Sequence, residues 1–170
     1  MSQYGAPANA GEESTTIKVG IADSAVTTNG CRLRTSGLGS CLGIVLYDEK
    51  TGVAGLVHVM LPEGDETGEK EPAKFVDTGI ESLLADMQAK GATPSNIVAK
   101  VAGGSDMLDL SEETGNIGSR NVEKAKEVLG EYGIRIENAD TGGEHGRSLE
   151  LDTTTGQLEV SRAGGDSVVL

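Results

Sequence analysis

Two side chains in this sequence could together make a thiol into a nucleophile. Cys41 ends a run of small residues, Thr35-Ser36-Gly37-Leu38-Gly39-Ser40-Cys41, and opens an apolar segment that continues to Tyr47. His58 stands in the middle of a second apolar segment, Val53 to Leu61. A thiol attacks as thiolate, so a catalytic cysteine needs a base nearby, most often an imidazole. The glycines ahead of Cys41 let the backbone turn tightly and leave space for another chain to approach. The commoner fate of a lone Cys or His in an apolar strand is packing, as a small core residue or a hydrogen-bonded structural one. The pair therefore counts as a dyad only if the fold brings it together.

The elements needed for that are legible. Cys41 to Tyr47 and Val53 to Leu61 read as central strands, and Asp48-Glu49-Lys50-Thr51-Gly52 joins them as a hairpin turn. Counted outward from that turn, Cys41 lies near one strand's start and His58 in the other's far half, so the two can meet across the ladder. Thr15 to Ile21 and Cys31 to Thr35 alternate as half-buried strands, and Asn96 to Ala102, Ile134 to Asn138, Arg147 to Leu151 and Gln157 to Ser161 supply more. Val76, Ile80, Leu83, Leu84 and Met87 repeat at helical spacing after Pro72, with Gly91 as the stop. Val122, Ala125, Val128, Leu129 and Tyr132 mark a second helix that ends at Gly133. About eight strands, mostly hairpin-linked, with two helices predict an α+β fold.

Rival chemistries fit less well. The glycines at 37, 39 and 43 do not form G-x-G-x-x-G, and no lysine follows as in a phosphate-binding loop. Cys31, Cys41, His58 and His145 exhaust the soft metal ligands but contain no close pairing of the zinc type, so no metal is expected. Asp140-Thr141-Gly142-Gly143 and Ala102-Gly103-Gly104 read first as plain turn chemistry. Asn116-Ile117-Gly118-Ser119-Arg120-Asn121 opens the second helix, with Asn or Ser as its cap. Arg120 reads as a solvated helix residue before it reads as a substrate clamp.

Composition narrows the partners. With 14 basic against 27 acidic residues the formal charge is −13, which repels phosphate backbones and anionic lipid. One Phe, three Tyr and no Trp leave few platforms for stacking bases. The acidic balance predicts a salt-adapted host, where screening removes the self-repulsion. No apolar run is long enough to span a bilayer and Met1 to Thr15 lacks a signal-peptide core, so a cytoplasmic location and reduced thiols are expected. The chain of 170 residues reads as one domain over residues 15–162, with flexible tails at 1–14 and 163–170. The acidic stretch Glu63 to Glu71 reads as a surface loop that follows the histidine strand.

Taken together, these motifs resemble CheD, the chemoreceptor glutamine deamidase family of bacterial and archaeal chemotaxis. The likeness is densest in Thr35 to Cys41 followed by Gly52-Val53-Ala54-Gly55-Leu56-Val57-His58-Val59-Met60-Leu61-Pro62. It extends to Lys74-Phe75-Val76-Asp77, Ala102-Gly103-Gly104, Ile117 to Asn121 and Asp140 to Gly143 with Arg147-Ser148. The resemblance implies Cys41 as nucleophile, His58 as base and Thr35 as the third catalytic residue, orienting the imidazole. Ser36 departs from the apolar residue usual before the first glycine. The implied fold is layered mixed β-sheets flanked by helices, akin to the deamidase domain of cytotoxic necrotizing factor toxins.

The implied reaction is hydrolysis of a glutamine side-chain amide to glutamate and ammonia through a Cys thioester, with no cofactor. Backbone N–H groups of Gly39, Ser40 and Cys41 would form the oxyanion site. Implied partners are methyl-accepting chemotaxis receptors as substrates, the CheC phosphatase, and adaptor proteins in archaea. Two other readings share these residues: a regulatory binding module for CheC or an adaptor, and a cysteine peptidase. Cys31 and His145 match no catalytic position of the family.

Overall fold

The computed structural model describes residues 15–28, 30–64, 70–106 and 116–170. The expected N-terminal tail and the middle of the 63–71 loop lie outside them. The elements run β1 (Thr16–Lys18), β2 (Ser24–Thr27), β3 (Arg32–Leu38), β4 (Leu42–Asp48), β5 (Val53–Val59), α1 (Val76–Ala89) and β6 (Ile97–Gly103). They continue with α2 (Ile117–Glu131), β7 (Arg135–Thr141), β8 (Arg147–Asp152), β9 (Gln157–Arg162) and β10 (Ser167–Val169).

Two five-stranded sheets result, ordered β1-β3-β8-β9-β10 and β2-β5-β4-β6-β7. Both are mixed: β1 runs parallel to β3 and β6 parallel to β7, while the other pairings are antiparallel. This is the α+β architecture expected from the pattern, with the layered mixed sheets and helices that the resemblance implied. Ten strands stand where about eight were expected. β2 was not foreseen, and residues 163–170, expected as a tail, include β10 paired antiparallel with β9.

The layers follow from the two faces of β4 and β5. Leu42, Ile44, Leu46, Val57 and Val59 point toward the helices and pack on Val76, Ile80, Leu83, Val122 and Leu129. Val45, Ala54 and Leu56 point the other way, against Leu33, Leu38, Leu149, Leu151 and Val160 of the first sheet. Strands covered on both faces need apolar residues at every position, which is why neither of these strands alternates. The site lies in the second interface, between the sheets.

Both helices form where the spacing placed them. In α1 the buried residues are Val76, Gly79, Ile80, Leu83, Leu84 and Met87, and Gly91, at φ 106°, lets the chain leave it. The helix α2 starts at Ile117, and its N-cap position, Asn116, makes no side-chain capping bond. The expected cap is absent: Ser119 lies inside the helix and donates its hydroxyl to Asp106 Oδ2 at 3.2 Å.

Candidate active site

The hairpin register fixes the relation between Cys41 and His58. Antiparallel pairing sets Asp48 against Val53 at the turn and Gly43 against His58 five rungs away. Directly paired residues project to the same face, and Cys41 lies two residues before Gly43, so alternation returns it to that face. Its packing agrees: Cys41 rests on the inter-sheet cluster that contains Ala54 and Leu56, the other residues on the His58 face of β5. Diagonal neighbours of this kind lie roughly 7–8 Å apart at Cα, within reach of an imidazole. Opposite the ring, Gly43 has no side chain, and a Cβ there would collide with Leu149. The glycine thus lets the first sheet close onto the histidine.

Thr35 comes from that first sheet. A register shift lies between its pairing with Leu149 and that of Leu38 with Arg147, so three residues of β3 span two of β8. This bulge, with Gly37 at φ 75°, turns both Thr35 and Leu38 inward, although three-residue spacing in a regular strand would put them on opposite faces. Ser36, the residue that departs from the family pattern, is on the outside of the bulge and exposed.

Thr35 and His58 meet at 2.7 Å between Oγ1 and Nδ1. The threonine hydroxyl also donates to the Val19 carbonyl at 2.7 Å. A hydroxyl has one proton, so Thr35 can only accept at its contact with the ring, and Nδ1 must carry the hydrogen. In the neutral imidazole this leaves the lone pair on Nε2, which is buried with no hydrogen-bond partner. Burial lowers the His58 pKa from its ordinary value, holding the ring neutral. Burial also raises the Cys41 thiol, countered in part by a hydrogen bond from its own backbone N–H. Both shifts favour the uncharged forms, thiol for Cys41 and neutral imidazole for His58, with the Nε2 lone pair unengaged.

The loop that delivers Cys41 is tied at three successive carbonyls. Gly39 O accepts from Ser105 N at 2.9 Å and Cys41 O from Gly104 N at 2.8 Å. Ser40 O accepts from Asn121 Nδ2 at 2.8 Å. A Cβ on Gly103 would press on the Cys41 carbonyl and one on Gly104 on Val122, at 2.5 and 2.6 Å. Both glycines have positive φ, so the pair expected as a plain turn is a close-packed support for the loop that ends at Cys41.

Arg147 ties together two turns that lie far apart in the sequence. Its buried guanidinium donates to Asp140 Oδ2 at 3.0 Å, to Gly142 O at 2.9 Å and to Gly103 O at 3.3 Å. It therefore locks the end of β6, beside the nucleophile loop, to the Asp140–Gly143 corner. Asp140 also accepts from Arg162, and that bond, with the one from Arg147, holds its carboxyl below the usual range against the opposing effect of burial.

Other singled-out residues stand apart from the pair. Cys31 and Cys41 are both reduced, and Cys31 lies before β3, where its carbonyl accepts from Thr153 Oγ1 at 2.6 Å. His145 packs on Gly143 at the Asp140–Gly143 corner. Arg120 is exposed and lines an open groove of about 410 Å³ with Pro62, Glu63, Ser119 and Lys124. Among the described residues, no three His, Cys, Asp or Glu side chains converge as metal ligands, and no helix is long and apolar enough to cross a membrane.

Asn121 is what sequence reasoning missed. The signal was present: Gly118, Asn121, Val122, Ala125, Val128 and Leu129 form the buried stripe of α2, and Asn121 is the polar member of it.

Comparison with known proteins identifies the family. The family model described as CheD chemotactic sensory transduction matches residues 60–162. A probable chemoreceptor glutamine deamidase CheD of Haloarcula marismortui is 51% identical over 154 residues, covering 91% of this chain and 89% of its own. Proteins of the same description from Natronomonas pharaonis and Thermococcus kodakarensis are 43% and 44% identical, covering 91% and 90% of this chain and 92% and 96% of their own. Among solved structures, a Neisseria meningitidis protein of the DUF152 family matches with TM-score 0.49 at 11% identity, over 80% of this chain and 67% of that one. With its motifs, its layered mixed sheets and relatives aligned along nearly its whole length, the chain belongs to the CheD family.

Proposed function

We propose that this protein is a chemoreceptor glutamine deamidase in which Cys41 is the nucleophile, His58 the base and Thr35 the residue that sets the base's tautomer. The observation that carries the reading is the hydroxyl of Thr35, which spends its only proton on Val19 O and so leaves Nε2 of His58 unprotonated. The relatives described as probable chemoreceptor glutamine deamidases support the substrate class. A module that only bound CheC or an adaptor would have no use for a buried, unpartnered imidazole nitrogen.

His58 Nε2 takes the proton of Cys41 as the sulfur attacks the carboxamide carbon of a receptor glutamine. The C–N bond breaks when the imidazolium returns that proton to the amide nitrogen, and ammonia leaves from a thioester. Water, deprotonated by the same nitrogen, attacks the thioester carbon, and glutamate is released with the thiol restored. The carbonyls of Gly39, Ser40 and Cys41 are engaged with the body of the protein, which favours their N–H groups as donors to the oxyanion.

The acidic charge suits salt-rich conditions, so the assay is incubation with the host's receptors at high salt, with ammonia release and peptide mass mapping. Wild-type protein should convert glutamine to glutamate with the receptor chain uncut, and Cys41→Ala should release no ammonia. Cleavage of the receptor would favour a peptidase, and activity surviving in Cys41→Ala would end the proposal.

A further inference from the structure

The proposed reaction needs sulfur and imidazole held in one relation, yet they sit where their strands part. The β4 ladder begins at Leu42, after the nucleophile, and β5 ends at Val59, just past the histidine. A third element bridges the gap. Asn121, fully buried in α2, donates from Nδ2 to Ser40 O at 2.8 Å and to Met60 O at 3.1 Å. Its two amide hydrogens thus reach the residue before the nucleophile and the second residue after the base.

The carboxamide can face only one way, because rotation by half a turn would set Oδ1 against two carbonyl oxygens. In the orientation present, Oδ1 is buried and has no hydrogen-bond partner. An apolar side chain would complete the stripe of Val122 and Ala125 without that cost. The helix also approaches unusually closely, since a Cβ on Gly118, one turn earlier, would collide with the carbonyls of Gly104 and Ser105.

We infer that Asn121 is a positioning residue of the reaction, fastening the nucleophile loop and the end of the histidine strand to one helix so that Cys41 stays within reach of His58. The inference rests on the deamidase reading. It predicts that loss of the two donated bonds loosens the pair without changing how the receptor docks.

The test compares wild type, His58→Ala, Asn121→Leu and Asn121→Asp, using the pH dependence of Cys41 alkylation by iodoacetamide, mapped by mass, with kcat and KM on receptor. Misplacement of reacting groups by about 1 Å can cost on the order of 100-fold. Folded Asn121→Leu should thus lose about 100-fold in kcat, with KM within about twofold and an alkylation profile moved toward that of His58→Ala. Asn121→Asp keeps the shape but faces two carbonyls with a carboxylate, and should fall as far. If Asn121→Leu does not fold, Asn121→Asp decides. A folded variant with wild-type kcat and alkylation profile, or a kcat loss that only tracks the unfolded fraction, overturns the inference. If His58→Ala leaves the alkylation profile unchanged, the deamidase reading fails first. If His58→Ala shifts it and the Asn121 variants do not, only the role of Asn121 fails.

Discussion

The two ends of the β4–β5 hairpin are made of the same kind of strand and treat polar atoms in opposite ways. At the turn end, Asp48 is fully buried, and both of its oxygens are used. Oδ1 accepts from the backbone N–H groups of Lys50 and Thr51 at 3.0 and 3.2 Å, and Oδ2 from that of Thr93 at 2.8 Å. Burial alone would raise this carboxyl, but the converging amides outweigh it and hold the pKa below its ordinary value. At the other end, His58 Nε2, Asn121 Oδ1 and Ser105 Oγ are buried without partners. Native interiors leave few such atoms. On the proposed mechanism, the open end keeps hydrogen-bonding capacity for a reacting molecule, while the turn end devotes the same capacity to stability.

Three perturbations would sharpen or break that contrast. The largest effect is expected from Thr35→Val, which is close in shape but cannot accept from Nδ1. The ring then loses its fixed tautomer, and kcat should fall by about 100-fold, the low end of what a positioned base supplies, measured on folded protein because the stranded Val19 O costs about 1–3 kcal/mol. An unchanged kcat would deny Thr35 its role. At the opposite end, Asp48→Ala strands three amide donors and should cost about 2–4 kcal/mol of unfolding free energy, measured by denaturant titration. The kcat of the folded fraction should stay within about twofold, since no reacting group is touched. A large loss of kcat there would mean that the two ends are coupled.

The smallest effect is in pH. Burial favours neutral His58 in the folded state, so the unfolded chain binds this proton more readily, and stability on its account falls as pH drops. The loss begins at the ordinary value near 6.5 and ends at the lowered folded value. On the proposed mechanism, protonation of Nε2 also removes the base, so the acid limb of kcat/KM should lie below 6.5. A limb above 6.5 in wild type would contradict the burial of the ring.

How much of this was legible depended on the range of the interactions. The hairpin, both helices and the same-face relation of Cys41 and His58 follow from local turn residues and period, and the structure has them. The bulge at Ser36 and Gly37 was not legible, because it is defined against β8, more than a hundred residues away along the chain. β2 and β10 are strands of four and three residues, too short for a period, and exist because a neighbouring edge accepts them. Asn121 and Arg147 take their meaning from carbonyls on other segments, which no spacing rule reports. Thr35 was identified through family resemblance, and its connection to Val19 O emerged from the parallel approach of β1 to β3.

That connection has a consequence for how the enzyme could change over generations. The atom that decides where the imidazole keeps its hydrogen is a main-chain oxygen, and every amino acid has one, so no codon change at position 19 can delete it. Inheritance can reach it only indirectly, by displacing the segment that holds it, which makes the tautomer robust to substitution at that position and vulnerable to slippage of a three-residue edge strand.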